Sequence, residues 1–120
     1  MPLRVLVCGG RDLRDRQLIG GELEQLDIRR GPISVLIHGC ATGADSTAEA
    51  WARSRNVKTA GFRADWSQGK AGGPIRNSRM LAEGKPDLVI AFPGGSGTAD
   101  MVRKARAAGV EVIEIRESAR

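Results

Sequence analysis

The sequence predicts an α/β fold: a single Rossmann-like domain over residues 1–120, built as a doubly wound parallel sheet of about five strands with helices on both faces. Three observations carry this reading. Short apolar segments alternate strictly with longer segments of helical periodicity along the whole chain. The apolar segments are nearly unbroken, as strands buried on both faces of a sheet must be. Three of them run straight into turns of glycine and other small residues, Cys8-Gly9-Gly10-Arg11-Asp12, His38-Gly39-Cys40-Ala41-Thr42-Gly43-Ala44-Asp45 and Phe92-Pro93-Gly94-Gly95-Ser96-Gly97-Thr98, and each turn leads into a helix.

Strand one is Leu3–Cys8, and the helix that follows covers about Arg14–Ile28, where Ile19, Leu23 and Leu26 repeat at i, i+4 and i+7. Gly31-Pro32 closes it. Strand two is Ser34–His38, followed by a helix over Ala44–Arg55 with Ala44, Ala48 and Trp51 on one stripe. Asn56–Phe62 reads as a third strand. The stretch from Arg63 to Gly73 is irregular and longer than most connections in compact domains, which marks it as functional or disordered. The third helix spans about Pro74–Glu83, with proline in its first turn and Gly84 and Pro86 ending it. Strand four is Asp87–Phe92, the helix Thr98–Ala108 ends at Gly109, and Val110–Ile115 makes a fifth strand. Residues 116–120 are expected to fray.

At 120 residues the chain holds one core and is too short for two. Its 16 glycines are about double the usual share, and they gather at strand ends rather than in low-complexity runs. Nineteen Lys and Arg against 14 Asp and Glu give a formal charge of +5, which suits anionic partners, nucleotide and nucleic acid alike. No run approaches the roughly 18 apolar residues of a membrane helix, and Met1-Pro2-Leu3-Arg4 lacks the apolar core of a signal peptide, so the expected location is the cytoplasm, with no membrane partner. Cys8 and Cys40 form no CxxC pair and read as buried thiols. His38 is the only histidine, so no metal site is expected, and no cofactor.

The turn after strand four has anion-binding geometry. Its glycines let the backbone approach a ligand, and the first turn of the next helix presents unpaired N–H groups and a positive dipole end. Ligands of open α/β sheets gather at the carboxyl ends of the strands, where all three turns lie. The common nucleotide fingerprints fail in detail. Gly95-Ser96-Gly97-Thr98-Ala99-Asp100 has Asp where GxGxxG needs its third glycine and follows the wrong strand, and Gly69-Lys70-Ala71 lacks the Ser or Thr of a P-loop. No GxSxG elbow and no Cys-His pairing suggests acyl transfer.

Taken in order, Val7 to Asp12, His38-Gly39 to Asp45 with Trp51-Ala52, Ala64-Asp65-Trp66, Gly73-Pro74-Ile75-Arg76-Asn77 with Met80, and Phe92 to Met101 resemble the YspA-related proteins of the SLOG superfamily. The resemblance spans Val5 to about Val112. It implies a Rossmann-like fold and nucleotide-like chemistry, because the superfamily includes cytokinin-activating phosphoribohydrolases, a DNA-processing protein and proposed sensors of nucleotide-derived ligands. Phosphoribohydrolases of this kind carry Arg-Lys-x-x-Met and then Pro-Gly-Gly-x-Gly-Thr-x-x-Glu, whose arginine and final glutamate serve cleavage of the N-glycosidic bond. Arg76 to Met80 matches the arginine and methionine, and Pro93 to Thr98 matches the turn. Met101 stands at the position of the glutamate, and the nearest carboxylate, Asp100, is rotated by about 100° around the helix.

The candidate ligand-binding residues are therefore Gly9, Gly10, Arg11, His38, Gly39, Gly43, Asp45, Arg76, Asn77, Gly94, Gly95, Ser96, Gly97 and Thr98, and the candidate catalytic pair is Arg76 and Asp100. Arg11 suits a bidentate phosphate clamp or a solvated surface. Asp45 suits a ribose hydroxyl or a helix cap, and His38 a ligand contact or a structural hydrogen bond. Asp65 and Trp66 suit either a lid whose indole stacks on a base or an anchor for the long loop. The expected function is binding of a nucleotide or nucleotide-derived small molecule, as a sensor. The alternatives are a phosphoribohydrolase acting on a nucleoside 5′-monophosphate and a single-stranded nucleic-acid binder, the latter disfavoured by an aromatic content of 3%. The resemblance also implies a homodimer.

Overall fold

A computed structural model of the chain describes residues 2–116, without the side chain of Gln68. The tail read as fraying lies outside the described residues beyond Arg116. The elements are β1 (Leu3–Cys8), α1 (Arg16–Arg29), β2 (Ile33–His38), α2 (Ala44–Ser54), β3 (Lys58–Gly61), a 3-10 segment (Trp66–Ala71), α3 (Gly72–Gly84), β4 (Leu88–Ala91), α4 (Ser96–Ala107) and β5 (Glu111–Glu114). The five strands form one sheet in the order β3-β2-β1-β4-β5, every neighbouring pair parallel. The fold is the predicted Rossmann-like α/β fold with helices on both faces.

Alternation along the central strand divides the core in two, because successive side chains point to opposite faces. Val5 and Val7 pack with Ile19, Leu23 and Leu26 of α1 and with Ala44, Ala48 and Ala52 of α2. Leu6 and Cys8 pack on the other face with Met80 of α3 and with Met101, Val102 and Ala105 of α4. All four residues of β4 are buried, which explains its unbroken apolar sequence, whereas the edge strands β3 and β5 are half-open.

Most element boundaries shift by one or two residues from the sequence reading, and three differences have a local reason. Helix α4 begins at Ser96 rather than Thr98, with Gly95 as its N-cap. Helix α3 begins at Gly72, so Pro74 falls inside the first turn, where its missing N–H costs nothing. The stretch read as irregular contains the 3-10 segment, started by Asp65, whose carboxylate accepts the Ser67 N–H at 3.0 Å, and interrupted at Gly69, where φ is +65°. Strand order sets up the site. With β1 central and β2 and β4 beside it, the three glycine-rich turns emerge side by side at one edge of the sheet.

Candidate functional site: a cationic crevice at the strand ends

A crevice of about 780 Å³ opens at the carboxyl ends of β1, β2 and β4. Gly9, Gly10 and Arg11 line it from the β1 turn, Gly39 to Thr42 and Asp45 from the β2 turn, Gly95 to Thr98 from the β4 turn, and Gly73, Pro74, Arg76, Asn77 and Met80 from α3. Arg63, Ala64, Trp66 and Lys70 close it from the long loop. The volume lies within the range of small-molecule sites, roughly 300–1,000 Å³.

The turns fit together because they lack side chains. A Cβ on Gly9 would stand 2.7 Å from the Ala44 Cβ, and one on Gly10 would stand 3.1 Å from the Pro93 carbonyl oxygen. The Gly10 N–H donates to that same Pro93 oxygen at 2.8 Å, and its carbonyl accepts the Ala44 N–H at 3.0 Å. Gly95 and Gly97 are different: a Cβ at either would meet no protein atom within 4 Å. No side chain caps the first turn of α4, whereas Asp15 caps α1 by accepting the Leu18 N–H at 3.0 Å. The free donors of α4 thus face the crevice with the positive end of the helix dipole behind them.

A chain of hydrogen bonds crosses the crevice floor. Asp45 Oδ2 accepts the Gly39 N–H at 3.0 Å and the Ala41 N–H at 3.3 Å. The Gly39 carbonyl accepts Arg76 Nη1 at 2.7 Å, and Arg76 Nε donates to Asn77 Oδ1 at 3.1 Å. Asn77 Nδ2 then donates to the Gly97 carbonyl at 3.2 Å and to Asp100 Oδ2 at 3.0 Å. The chain joins β2, α3 and α4, so the guanidinium of Arg76 is held in place before any ligand arrives.

The electrostatics favour an anion. Arg11, Arg63, Lys70 and Arg76 all line the crevice, and none forms an ion pair among the described residues. Asp45 is the one lining carboxylate among the described residues. Burial pushes its carboxyl above the ordinary value, against the opposing pull of the Ala41 and Gly39 N–H groups and of His38 and Arg76. Cys8, at the crevice floor, is pushed up to about 12 by burial and by Asp45 and Glu114, and stays a thiol. Among the described residues no three His, Cys, Asp or Glu side chains gather to hold a metal, and no helix is long and apolar enough to cross a membrane.

Most of the sequence-predicted residues meet here, but four do not line the crevice. His38 is 5% exposed and its ring is committed to protein: Nδ1 accepts the Cys40 N–H at 3.0 Å, which leaves the Nε2 proton for Glu49 at 2.5 Å. Gly43 has φ of +80° and its missing Cβ makes room for the Arg11 carbonyl, so it joins the β1 and β2 turns. Gly94 packs under the Thr98 hydroxyl and lines a second hollow of about 500 Å³ on the far side of the β4 turn. Asp100 is 8% exposed and occupied by Asn77, by Arg103 at 2.6 Å and by Lys104 at 3.1 Å. Burial raises its carboxyl, but those hydrogen bonds and charges outweigh burial and hold it below the ordinary value.

The crevice also contains residues that the sequence reading missed: Arg63 and Lys70 from the long loop, and Thr42, whose hydroxyl donates to the Arg11 carbonyl at 3.3 Å. The signal for the first two was present. A long loop with unpaired cations beside three glycine-rich strand ends is where an anion site would draw further positive charge. Cys40, expected to be buried, is exposed at the crevice edge.

Comparison with known proteins places the family and the fold. A family model described as the YspA, cpYpsA-related SLOG family matches residues 3–69. The gene 61 protein of Mycobacterium phage D29 is 39% identical over 119 residues, covering 92% of this chain and 94% of its own. DNA processing protein A from Streptococcus pneumoniae superposes with a TM-score of 0.76 at 20% identity, over 98% of this chain and 51% of that one. The structure of TM1055 superposes with a TM-score of 0.73 at 19% identity, over 93% of this chain and 72% of that one. At such identities the two structures share the fold. This chain spans about half the length of DNA processing protein A.

Proposed function

The chain belongs to the YspA, cpYpsA-related SLOG family, and from that premise we propose that it binds a nucleotide or nucleotide-derived ligand in the crevice and acts as a sensor. The observation that carries this reading is that four cations without an ion pair among the described residues, Arg11, Arg63, Lys70 and Arg76, line the same crevice as the uncapped first turn of α4. A phosphate on the Ser96, Gly97 and Thr98 N–H groups meets the dipole end of α4, while Arg11 and Arg76 offer forked donors to its remaining oxygens. Asp45 Oδ2 holds the β2 turn, and Oδ1 has no hydrogen bond among the described residues, which suits it to a ribose hydroxyl.

Two further observations favour binding over the alternatives. Asp100, the carboxylate that N-glycosidic cleavage needs, does not line the crevice and is held by three neighbours. Trp66 is the one aromatic residue that lines it, whereas single strands are gripped by several stacking platforms.

A thermal-shift screen against nucleoside mono-, di- and triphosphates, cyclic nucleotides, ADP-ribose and NAD, with chromatography of each mixture, tests the reading. Ligand at a hundred times its Kd adds about 2.7 kcal/mol, a shift of several degrees for a domain of this size. The expected result is stabilisation with no free base, and its loss in Gly95→Val. A Cβ at Gly95 meets no protein atom within 4 Å beyond its chain neighbours, so the variant is expected to keep its own stability to within about 1 kcal/mol while the isopropyl group intrudes on the proposed phosphate position. Unchanged affinity in Gly95→Val overturns the site, and released base replaces binding with N-glycosidic cleavage.

A further inference from the structure

We propose that Trp66 is a base-stacking wall, so that the crevice takes a nucleoside 5′-phosphate gripped at both ends, its base on the indole and its phosphate at the first turn of α4. The inference deepens the binding reading above and rests on it.

The aromatic residues of the chain are not equivalent. Phe92 is 1% exposed in the core, Phe62 is half-buried with the Arg79 guanidinium 5.5 Å above its ring, and Trp51 packs against the α1–α2 core with its Nε1 directed to Glu24 at 3.4 Å. Trp66 alone is left open, at 61% exposure, and it lies in the crevice wall. Its Nε1 has no hydrogen-bond partner among the described residues. Indole is the largest apolar surface a residue can offer, and leaving it in water forfeits its burial energy unless something else covers it.

The ring is exposed but held. Gly72 and Gly73, at the start of α3, form a shelf beneath it: a Cβ on Gly72 would stand 3.2 Å from Cε3, and one on Gly73 would stand 3.5 Å from Cη2. The backbone on its other side is fixed without help from the indole, because Asp65 Oδ1 accepts both the N–H and the hydroxyl of Ser67, at 3.0 and 2.6 Å. The two roles weighed for this pair are therefore divided between its members. Asp65 anchors the loop, and Trp66 offers a face. Stacking needs little more than this, since every nucleobase has a π-face, and a pre-held ring loses little entropy when the base settles on it.

Fluorescence separates this proposal from the reading it rests on. The chain has two tryptophans, so Trp51→Phe leaves Trp66 as the single reporter. In that protein the four nucleoside 5′-monophosphates are expected to change Trp66 emission, and ribose 5-phosphate, which shares only the phosphate end, is expected to bind without doing so. Trp66→Ala should weaken the nucleotides by about 5- to 140-fold and ribose 5-phosphate by about twofold at most, with Trp66→Phe restoring most of the nucleotide affinity. Equal weakening of nucleotide and ribose 5-phosphate assigns Trp66 a structural role and overturns the proposal, as does unchanged nucleotide affinity in Trp66→Ala. Ribose 5-phosphate binding with no advantage for the nucleotides overturns the stacking wall and leaves the phosphate site standing. Absence of binding by either overturns both.

Discussion

Asn77 donates its Nδ2 proton to Asp100 Oδ2 at 3.0 Å, and this bond ties helix α3 to helix α4 beside the crevice. The same amide reaches the Gly97 carbonyl at 3.2 Å, and its oxygen receives Arg76 Nε at 3.1 Å. Asp100 therefore acts on the crevice through Asn77. It orients the amide, and the amide orients Arg76.

Replacing Asp100 with Ala leaves a buried amide proton short of a charged acceptor and frees Arg103 and Lys104 from their shared partner. We expect a loss of about 1–3 kcal/mol in urea denaturation, with Asp100→Asn losing less because its carbonyl still accepts from Asn77. The folded state holds this carboxyl below its ordinary value, so the stabilisation is complete above the ordinary carboxylate range and disappears as pH falls through the folded value. The gap between wild type and Asp100→Ala should accordingly be full at neutral pH and close under acid. A gap that is constant with pH would refute this role.

Gly39→Ala should act on Arg76. A Cβ there would stand 2.5 Å from Nη1 and 2.8 Å from Cζ, the far end of a flexible side chain. Arg76 is then displaced from the Gly39 carbonyl while the backbone is undisturbed. Nucleotide affinity measured by calorimetry should fall at least about tenfold, the worth of a charge-assisted hydrogen bond of roughly 1.5 kcal/mol, with a smaller loss of stability. Unaltered affinity would remove Arg76 from the site.

Asp45 titrates in the opposite sense from Asp100. Burial raises its folded value, so its contribution to stability is present at low pH and is lost as pH rises through that raised value. Asp45→Asn keeps an acceptor for the Gly39 and Ala41 N–H groups but carries no charge. Its stability relative to wild type should climb with pH and level off above the folded value, as read from denaturation midpoints across pH. A relative stability that falls with rising pH would contradict the assignment.

The two thiols should differ sharply in reactivity. Cys8 is buried and pushed up to about 12, which leaves almost no thiolate at pH 8, whereas Cys40 is exposed. Iodoacetamide should alkylate one cysteine in the native protein, mapped by mass spectrometry to Cys40, and both in denaturant. Early labelling of Cys8 would show that the crevice floor opens.

Much of the site was legible because glycine and apolar residues report local geometry directly. The glycine-rich turn after β4, the strand-end glycines Gly9, Gly10 and Gly39, and the α3 pair Arg76-Asn77 could all be placed from their neighbours in the chain. His38 and Asp100 could not. Each sits at the right height along its element, but its direction is set by a partner on another element: Glu49 of α2 draws the imidazole away, and Asn77 of α3 holds the carboxylate. Arg63 and Lys70 were hidden for a related reason, and Trp66 stood between a lid and an anchor, since loop side chains have no periodicity from which to read a direction.

Apolar periodicity and the placement of glycines along the chain specify the alternation of strands and helices, the faces that α1 and β1 bury, and the three small-residue turns at the strand ends. These follow from backbone sterics and from the period of apolar residues, both of which act over a few neighbours. Tertiary structure alone decided that β2 and β4 flank β1, that the three turns consequently share one crevice, and that Asn77 rather than Asp100 lines it. Those choices depend on contacts between residues 20 or more positions apart, such as the 23 that separate Asn77 from Asp100, where packing and pairing energies outweigh any local preference.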